Sequence, residues 1–556
     1  MASVAYDADT GGLNMDEINA PTKTTTESPS LDSIIRQCGD LGLYQWIHIF
    51  FLNLISMSAG IVAFYYVFGA AEPLHRCQLP SSVWPHDAHY YSVNQTHQDL
   101  INTYIPKDKD GKLDKCMRYT TANRSRILVN CPNGWAYDRS VFGYTFTEEA
   151  DLVCRSEPRK SWLSTLMQTG GFSLVIIGTL GDKFGRKRTT AITTVFLFVL
   201  CIMTQICMQW IPMTVNVKFG LLLANTLISG RTVATYSMAF ILMIELTSAA
   251  HTSLVGNTAL TAFTIGEGVL TLFAYLTVDW QKLKWASTAF IGVILPYLYF
   301  MPETPLYLYS KRQYTALETV LRQIATRNKR KEIDWYPSYQ EFVRNQTLNE
   351  VNVESKTSLS KQVRQLFSHK SSIIKLLITC FLGFTTYMLY YEISYGLEVI
   401  NISPYLGVLI GAVVEAIGYV SGSALIVTRL GRKGTFVIMM SLTAICILII
   451  PFIVKHSAIG TVLVTQLGKY AVSGAIAVSW IFVPELFQTS IRSTANGLFI
   501  TFSHLGAIIA PVINTSISDE YLPISFYISS ALAVVVLLLT LILPETKDKS
   551  MDVEQD

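Results

Sequence analysis

Long apolar runs alternate with short polar stretches along most of this sequence. Twelve of these runs hold about 20 residues each, which is long enough for a helix to cross the ~30 Å hydrocarbon core of a bilayer. A helix is favoured there because it satisfies its own backbone hydrogen bonds, which lipid cannot do. The pattern predicts an all-α polytopic membrane protein with these spans: Trp46 to Ala70, Trp162 to Leu180, Thr189 to Trp210, Phe219 to Ile244, Leu254 to Val278, Trp285 to Met301, Ile373 to Tyr395, Tyr405 to Val427, Thr435 to Val454, Ile459 to Val483, Leu498 to Asn514 and Ile524 to Leu543.

Composition supports this class over a string of soluble domains. The 556 residues are 50% hydrophobic and only 15% charged, whereas soluble domains carry about 25% charged residues. The net charge of +3 gives no concentrated basic face, so nucleic acid is not expected as a partner. Residues Met1 to Pro29 have no cationic flank before a short apolar core, so the first span is expected to act as its own insertion signal.

Basic residues in short loops predict the orientation. Cytoplasmic loops carry an excess of Lys and Arg, and the stretch 311–370, with twelve Lys and Arg against six acids, fits this rule. Both termini are therefore predicted to lie in the cytoplasm, and residues 72–160 outside. The basic residues that follow spans two and eight are Lys183, Arg186, Lys187 and Arg188, then Arg429, Arg432 and Lys433.

The predicted outer loop, residues 72–160, has features of an extracellular environment. It holds two N-glycosylation triplets, at Asn94 and Asn123. Its even number of cysteines predicts two disulfides, in any of three pairings. The four cysteines are Cys77, Cys116, Cys131 and Cys154.

The two halves of the sequence repeat each other at a nearly constant offset. Arg186 in GDKFGRK and Arg432 in VTRLGRK are 246 positions apart, Glu245 and Glu485 are 240 apart, and the two PET triplets are 242 apart. The agreement predicts two six-helix bundles in parallel arrangement. Such repeats are typical of secondary transporters, which bind substrate between the halves near the membrane midplane.

Several motifs resemble one known family. GTLGDKFGRKR is similar to the signature loop of major facilitators, whereas CPNGWAYDRSVFGYTFTEEADLVC, PETPLYL and PELFQTSIRSTANG resemble the organic cation, organic anion and carnitine transporters. The similarity runs from about Gly42 to Thr546. It implies the major facilitator fold, with a large extracellular loop between helices 1 and 2, and transport of small organic ions across the plasma membrane. No cofactor is expected, and the sequence has no phosphate-binding loop that would indicate ATP hydrolysis.

This sequence departs from the family pattern at positions that bear on mechanism. Thr428 stands where the second signature loop usually has an acid, and Leu306 stands where Arg is usual after span six. His251 and Thr252 occupy the loop that usually has Arg after span four, and span seven has Glu392 where Gly is usual. These differences weaken any substrate assignment that is taken from the family alone.

Ionisable residues within the spans are the main candidates for a binding site. A charge in hydrocarbon costs ~3 kcal/mol or more, so such residues usually face a watery cavity or a charged partner. Pairing that only locks helices together is the alternative for each one, and it is favoured for Arg231, which follows Gly230 at a place where close helix packing is expected. The candidates are Arg231, Glu267, Glu392, Glu415, Lys469 and His504.

Tyrosines in span seven add to these candidates. Tyr387, Tyr390 and Tyr391 precede Glu392, and aromatic faces beside a carboxylate would suit an ammonium group. An aromatic belt at the membrane interface is the favoured alternative. His504 lies where the resembling anion transporters have Arg; it could carry a proton, because imidazole titrates near pH 6.5, although a neutral, packed histidine is favoured.

Charged residues at the cytoplasmic helix ends are candidates for contacts that close this side of the protein. We expect Arg186 to pair with Glu245, Arg432 to pair with Glu485, and Asp182 to face a helix N-terminus, where the dipole favours a carboxylate. One exposed pair contributes only ~0–1 kcal/mol, so several must act together. The gating candidates are Asp182, Arg186, Glu245, Glu303, Arg432, Glu485 and Arg492.

These predictions divide the chain into a cytoplasmic segment 1–45, a bundle 46–302, a cytoplasmic linker 303–372, a bundle 373–543 and a tail 544–556. In the linker, an apolar stripe predicts a helix over Tyr314 to Thr326.

The predicted function is secondary active or facilitative transport of small organic ions by alternating access. Three acids against two fixed bases within the spans favour cations or zwitterions such as amines, amino acids or carnitine-like molecules, and a coupling ion or exchange substrate would be a second partner. The alternatives are organic anions as substrates and a non-transporting sensor or scaffold. No metal-ligand cluster or nucleophile–base pair is evident, so an enzyme is not predicted. The candidate substrate-binding residues are Tyr387, Tyr390, Tyr391, Glu392, Glu415, Lys469, His504 and Glu267.

Overall fold

All twelve predicted spans are helical in the computed structural model of this protein. The structure describes residues 29–107, 111–121, 127–349, 366–367, 369–395, 403–454, 456–488, 491–516 and 521–547. The spans are span 1 Leu43–Gly69, span 2 Ser161–Gly170 and Ser173–Phe184, span 3 Arg186–Trp210, span 4 Val215–Ser229 and Thr232–Glu245, span 5 Thr252–Thr277, span 6 Trp280–Phe300, span 7 Lys370–Tyr395, span 8 Pro404–Leu425, span 9 Gly431–Ile453, span 10 Ala458–Glu485, span 11 Arg492–Ser516 and span 12 Leu522–Ile542.

Short helices and strands lie outside the spans. On the predicted cytoplasmic side and in the outer loop they are α1 Leu31–Gln37, α2 Gln95–Tyr104, α3 Phe146–Glu149, α4 Pro305–Ser310, α5 Tyr314–Arg327 and α6 Glu332–Asn349, with a 3-10 turn at Cys154–Arg159. Antiparallel pairs join β1 His75–Cys77 to β4 Trp135–Tyr137 and β2 Met117–Tyr119 to β3 Leu128–Asn130.

Glycines determine how two of the spans cross. Span 2 is interrupted after Gly170 and span 4 is interrupted at Gly230, and these two glycines lie against each other. A Cβ on Gly230 would clash with the carbonyl oxygen of Met167. Small residues permit such close approach of backbones in a membrane. Arg231 follows this crossing, and its guanidinium carbon lies 5.7 Å from the centre of the Phe196 ring on span 3. This arginine therefore contacts a neighbouring span of its own half.

Two pairs of spans form much of the contact between the halves. Span 5 lies against span 8, and span 2 lies against span 11. In the first pair, the hydroxyl of Ser423 donates to the side-chain oxygen of Asn257 at 2.7 Å. In the second pair, a Cβ on Gly171 would stand 3.1 Å from the His504 ring. The residues buried along these two seams include three of the ionisable candidates, Glu267, Glu415 and His504.

Two disulfides and a buried ion pair hold the outer loop together. Cys77 bonds to Cys131, and Cys116 bonds to Cys154, which selects one of the three pairings left open by the sequence. The Arg76 guanidinium lies 2.6 Å from the carboxylate of Asp87, and both side chains are buried. The loop thus has a small core of its own.

The outer loop is attached to the first half of the protein. The indole nitrogen of Trp280 at the start of span 6 donates to Glu149 at 2.7 Å, and the backbone nitrogen of Trp280 donates to the carbonyl of Tyr144 at 3.0 Å. Span 6 also begins earlier than the predicted Trp285, because Asp279 caps its first turn by accepting two backbone N–H bonds. Lys284 consequently lies within the span.

On the opposite side, the predicted linker helix is confirmed as α5, one residue longer than expected. Its buried Leu317, Leu321 and Ile324 pack in one cluster with Ile34 of α1. Asn328, just after α5, donates to the carbonyl of Gly39 at 2.6 Å, so the linker is joined to the segment that enters span 1.

Candidate functional site

The centre of the molecule contains a buried charge set made of two acids and one base. The ammonium of Lys469 on span 10 lies 2.7 Å from Glu267 on span 5 and 3.2 Å from Glu415 on span 8. All three side chains are fully buried. Because span 5 belongs to the first half and spans 8 and 10 to the second, these charges join the two bundles. We call these three residues the central charge set.

Aromatic hydroxyls hold one member of this set in place. Tyr390 and Tyr419 both donate to the same oxygen of Glu415, at 2.9 Å and 2.7 Å. On the other side of the base, the ring centre of Phe64 on span 1 is 5.1 Å from the Lys469 ammonium. One oxygen of Glu267 and one oxygen of Glu415 each lack a hydrogen-bond partner in good geometry among the residues described. Glu415 is therefore held by Lys469 and two tyrosine hydroxyls, whereas Lys469 is the one ion-pair partner of Glu267 among the described residues.

The tyrosines of span 7 lie inside the protein, so the interfacial belt that the sequence favoured is wrong for them. Tyr390 and Tyr391 are buried, and the Tyr387 hydroxyl accepts a 2.9 Å bond from the indole of Trp480 on span 10. Tyr395, one turn beyond Tyr391, donates to the carbonyl of Ala63 on span 1 at 3.0 Å. These side chains form an aromatic wall between the halves.

Glu392 does not join the central charge set. Its carboxylate accepts a 2.7 Å bond from Ser529 on span 12, within the second half. Glu392 follows Tyr391 directly, and successive residues of a helix point about 100° apart, so an acid at this position points away from the neighbouring tyrosine. The prediction that Glu392 joins the tyrosines around a substrate is therefore wrong, because its carboxylate binds Ser529 instead.

His504 lies on the seam between spans 2 and 11. Its ring is 6.2 Å from that of Phe172 and 6.5 Å from that of Tyr387, centre to centre, and it is buried. Its Nδ1 has no hydrogen-bond partner within the described part of the chain. The imidazole therefore contacts both halves through ring packing.

The first cytoplasmic cluster contains the predicted Arg186–Glu245 pair. Arg186 lies 2.7 Å from Asp182 and 3.3 Å from Glu245, and the hydroxyl of Thr304 donates to Glu245 at 2.6 Å. Glu303 accepts the backbone N–H of Arg186 at 3.0 Å, which places a carboxylate at the N-terminus of span 3. The capping role expected of Asp182 thus belongs to Glu303, and Asp182 is 73% exposed.

The second cluster repeats the first one almost atom for atom. Arg432 lies 3.1 Å from Glu485, Thr546 donates to Glu485 at 2.7 Å, and Glu545 accepts the backbone N–H of Arg432 at 2.9 Å. The two PET triplets supply both the capping acid and the threonine. In place of a third acid, Thr428 offers its carbonyl oxygen to the ammonium of Lys547 at 2.7 Å.

The two capping acids differ in their titration. Burial raises the pKa of Glu303 above its ordinary value, in spite of the backbone N–H groups that it accepts. Burial also acts to raise the pKa of Glu545, but backbone N–H bonds from Lys547 and Arg432 outweigh it and leave the pKa below its ordinary value. The difference follows from the deeper burial of Glu303.

Both clusters connect spans of a single half. Each one joins the start of span 3 or span 9 to the end of span 4 or span 10, so in this state the pairs brace the halves internally. Arg492 donates to the carbonyl of Phe487 at 3.3 Å, within the second half as well. Of the glycosylation candidates, Asn94 is exposed and its side chain caps α2, and Asn123 lies outside the described residues.

Sequence reasoning missed several residues that line these sites. Tyr419, Trp480 and Phe64 carry no charge and stand out only once the helices are packed. Glu545 and Thr546 belong to the second PET triplet, so the repeat itself was the signal that could have found them. The predicted span six begins at Trp285 and leaves Lys284 outside, whereas the structure buries this lysine.

Two six-span halves that enclose a charged, buried centre have the architecture of a major facilitator transporter. Comparison with family profiles matches residues 89–555 to the family described as "Sugar (and other) transporter". The match covers most of the chain, so the protein belongs to this transporter family.

Individual relatives agree with this assignment. "Solute carrier family 22 member 4" of Mus musculus is 26% identical, with 93% of this chain and 92% of the relative covered. "Steroid transmembrane transporter SLC22A24" of Microcebus murinus is 28% identical, with 94% and 96% covered. The predicted membership in the organic ion transporters of the major facilitator superfamily is confirmed.

A solved structure supports the fold. The inward open xylose transporter XylE from E. coli superposes with a TM-score of 0.58 at 14% identity, covering 90% of this chain and 98% of that one. At this identity the likeness establishes the major facilitator fold, and the substrate must be inferred from the residues of this chain.

Proposed function

We propose that this protein is a secondary active or facilitative transporter of small organic cations or zwitterions that works by alternating access. The observation that carries the proposal is the central charge set. With all three groups ionised, two carboxylates face one ammonium, so the set has an excess negative charge. A cationic substrate group would neutralise that excess, whereas an anionic group would increase it.

Glu267 is the member of the set best placed to receive such a group. Among the described residues its carboxylate accepts from Lys469 and from no tyrosine, whereas Glu415 is held by two tyrosine hydroxyls. A substrate ammonium that binds Glu267 would compete with Lys469 for the same acid. Phe64 and the aromatic wall of span 7 supply ring faces that attract cations.

Competition at Glu267 connects binding to movement. The Lys469–Glu267 ion pair joins the two halves, so it must open when the bundles rock apart. A substrate that takes the place of Lys469 lowers the free energy of the separated arrangement. A ligand shifts the equilibrium between the joined and the separated arrangement only by its difference in affinity for the two. The replacement of Lys469 by the substrate at Glu267 supplies that difference.

We further propose a plasma-membrane location with both termini in the cytoplasm. Two disulfides in residues 72–160 fit an oxidising compartment. Asn94 of the first glycosylation triplet is exposed in the same loop. The basic residues of both signature loops lie at the opposite ends of the spans, as the positive-inside rule requires.

Uptake by cells that express the protein tests this function. A panel of labelled amines, amino acids, carnitine-like zwitterions and carboxylates is compared for the wild type, Glu267→Gln and Glu392→Gln. We expect cations or zwitterions to accumulate, and Glu267→Gln to reduce their apparent affinity about tenfold, since a buried ion pair with the substrate is lost. Glu392→Gln is the matched control, because that acid bonds to Ser529 within the second half.

Two outcomes would overturn the proposal. Accumulation of carboxylates alone would assign organic anions as substrates. No accumulation of any compound, with the protein present at the cell surface, would favour a sensor or scaffold.

A further inference from the structure

A groove lies between the start of span 1, the end of span 6 and α5, on the predicted cytoplasmic side. It has a volume of about 790 Å³. Spans 1 and 6 line one side of it with Leu43, Ile47 and Phe300, whereas α5 and the residues that follow line the other side with Arg327 and Lys329. The groove thus has a mainly apolar side and a basic side.

The apolar side belongs to the surface that faces lipid. Leu43 is 56% exposed and Phe300 is 72% exposed, although both lie at the ends of membrane spans. Trp46, on the first turn of span 1, is exposed as well, and tryptophan is enriched where a span meets the lipid headgroups. These residues place the apolar side of the groove at the edge of the bilayer.

The positive charge of the basic side comes mainly from two residues. Arg322 of α5 also lines the groove, but it is already paired with Glu332 at 2.7 Å and with Glu318 at 3.0 Å. Within the described ranges, no ion pair involves Arg327 or Lys329, and both side chains are exposed. Their charges are therefore available to an anionic group.

The segment that carries these two charges is fixed against span 1. Asn328 stands between them and donates to the carbonyl of Gly39 at 2.6 Å. Its side-chain oxygen accepts the backbone N–H of Tyr44 at 3.0 Å. The two basic residues are consequently held beside the start of the first span, where the bilayer begins.

A third cation approaches the groove from span 3. The ammonium of Lys187 lies 3.4 Å from the carbonyl oxygen of Tyr299, which directly precedes Phe300. Lys187 is also the charged neighbour of His48, a residue that lines the groove. Positive charge therefore flanks the apolar side as well.

We propose that this groove binds an anionic phospholipid of the cytoplasmic leaflet. Its phosphate groups lie against Arg327 and Lys329, and its acyl chains follow the exposed residues of spans 1 and 6. Guanidinium groups bind phosphate through paired hydrogen bonds, and the cytoplasmic leaflet is the one that carries anionic lipids. The inference goes beyond the proposed transport function and uses only the proposed orientation, with both termini in the cytoplasm.

The experiment measures lipid binding to the purified full-length protein in mixed micelles. Fluorescence anisotropy follows a labelled phosphatidylinositol bisphosphate, and a phosphatidylcholine with the same chains and label is the comparison. We expect saturable binding of the anionic lipid, at least about tenfold tighter than that of phosphatidylcholine. Soluble inositol trisphosphate, which has phosphates but no acyl chains, should compete at least about tenfold more weakly than unlabelled lipid.

Two double variants assign the binding to this groove. Arg327→Gln with Lys329→Gln should weaken binding of the anionic lipid about tenfold or more. Arg330→Gln with Lys331→Gln removes the same charge from the same basic run, at exposed residues that do not line the groove. This control should change the affinity less than about twofold.

Three results would overturn the proposal. Equal binding of phosphatidylcholine would show that the groove does not select anionic lipid, and equal losses in both double variants would indicate diffuse attraction to the basic run. Competition by inositol trisphosphate as strong as by the lipid would assign a free phosphate compound instead. Should the first double variant fail to fold, Arg327→Gln alone decides the question. Binding in micelles requires no transport, so this proposal and the proposed function can fail separately.

Discussion

Lys469 is the residue on which the central charge set depends. It is the one base that the described structure places between Glu267 and Glu415, and all three side chains are fully buried. The loss of its charge would leave two buried carboxylates close together with no neighbouring cation among the described residues. Each of them would then lack compensation, which is among the most destabilising arrangements in a protein interior.

We therefore expect Lys469→Met to destabilise the protein by about 3–5 kcal/mol. Adding Glu267→Gln to this variant should recover part of the loss, because one of the two uncompensated acids is then removed. The unfolding temperatures of the single and double variants, measured in detergent, give the coupling between the two sites.

Glu392→Gln in the Lys469→Met background provides the control for this cycle. It removes a buried acid that bonds to Ser529, so we expect the changes in unfolding free energy of Glu392→Gln and Lys469→Met simply to add. Equal recovery by both substitutions would contradict the arrangement of the central charge set.

The residue scale also shows where prediction from sequence succeeds and fails. The cost of a charge in hydrocarbon was enough to select Glu267, Glu415 and Lys469. The same cost selected Glu392, whose direction depends on the rotation of span 7 about its axis, and hydropathy carries no information on that rotation. Lys284 was missed because a lysine near a span end is ordinarily an interfacial residue, and only the cap at Asp279 shows where span 6 begins.

At the scale of elements, the repeated cytoplasmic clusters fix the ends of spans. In the first cluster, Arg186 holds the end of span 4 through Glu245, and Glu303 caps span 3. Asp182 adds an exposed pair, which is worth only ~0–1 kcal/mol. The members of the cluster should therefore contribute unequally.

We expect Asp182→Asn to lower the maximum transport rate about twofold and to leave apparent affinity unchanged, because it removes a weak contact far from the centre. Glu245→Gln should lower the rate further, since it releases both Arg186 and Thr304. Uptake of a substrate found in the panel supplies both parameters. The control is Glu318→Gln, which changes an acid on α5. A change in apparent affinity without a change in the maximum rate would contradict the expectation.

The outer loop supplies a prediction that depends on pH. Burial acts to raise the pKa of Asp87, but hydrogen bonds from Arg76 and from the backbone of Leu79 outweigh it and leave the pKa below the ordinary value of 3.8. Because the pKa is lower in the folded state than in the unfolded one, Asp87 stabilises the loop fully above that ordinary value. The contribution is lost as the pH falls through the folded-state pKa.

Asp87→Asn should therefore lower the unfolding temperature at neutral pH and reduce the further loss that acid causes in the wild type. Unfolding followed between about pH 7 and pH 3 measures both effects. Asp99→Asn, an exposed acid on α2, should behave like the wild type. A neutral-pH stability of Asp87→Asn equal to that of the wild type would show that the Arg76 pair does not hold the loop.

The positions of the spans could largely be predicted from the sequence, whereas the contacts between spans and the pairing of the cysteines could not. Hydropathy located all twelve spans, and the basic loops and PET triplets located the repeat. The interruptions of spans 2 and 4 come from the contact of Gly170 with Gly230, which joins residues 60 positions apart. The disulfide pairing likewise depends on how β1 and β4 meet, and four cysteines alone cannot specify it.

At the scale of the whole molecule, aromatic residues close the predicted outer side between the halves. Tyr395 donates to the carbonyl of Ala63 at 3.0 Å, and Tyr405 on span 8 stacks on Phe68 of span 1 at 5.2 Å between ring centres. Gln168 on span 2 is fully buried and lies close to Tyr395. Access from outside to the centre requires that they separate.

Tyr395→Phe removes one hydrogen bond across this seam, a loss of about 0.5–1.5 kcal/mol. We expect the outward-facing population to rise by two- to tenfold, and with it the rate at which an impermeant thiol reagent labels Gln168→Cys. Tyr419→Phe is the control, since that hydroxyl bonds to Glu415 within the second half. Equal labelling of the two variants would mean that the Tyr395 bond does not hold the outer side closed.

The position of the outer-loop cysteines along the chain has a consequence for how the protein is made. Both disulfides close among residues 77–154, all of which leave the ribosome before span 2. The covalent framework can thus be complete while most of the protein is still unsynthesised. Glu149, however, finds its partner Trp280 only after five spans have been inserted. Folding of this loop therefore has an early step, in which both disulfides can form, and a later step, in which Glu149 binds Trp280 once span 6 is present.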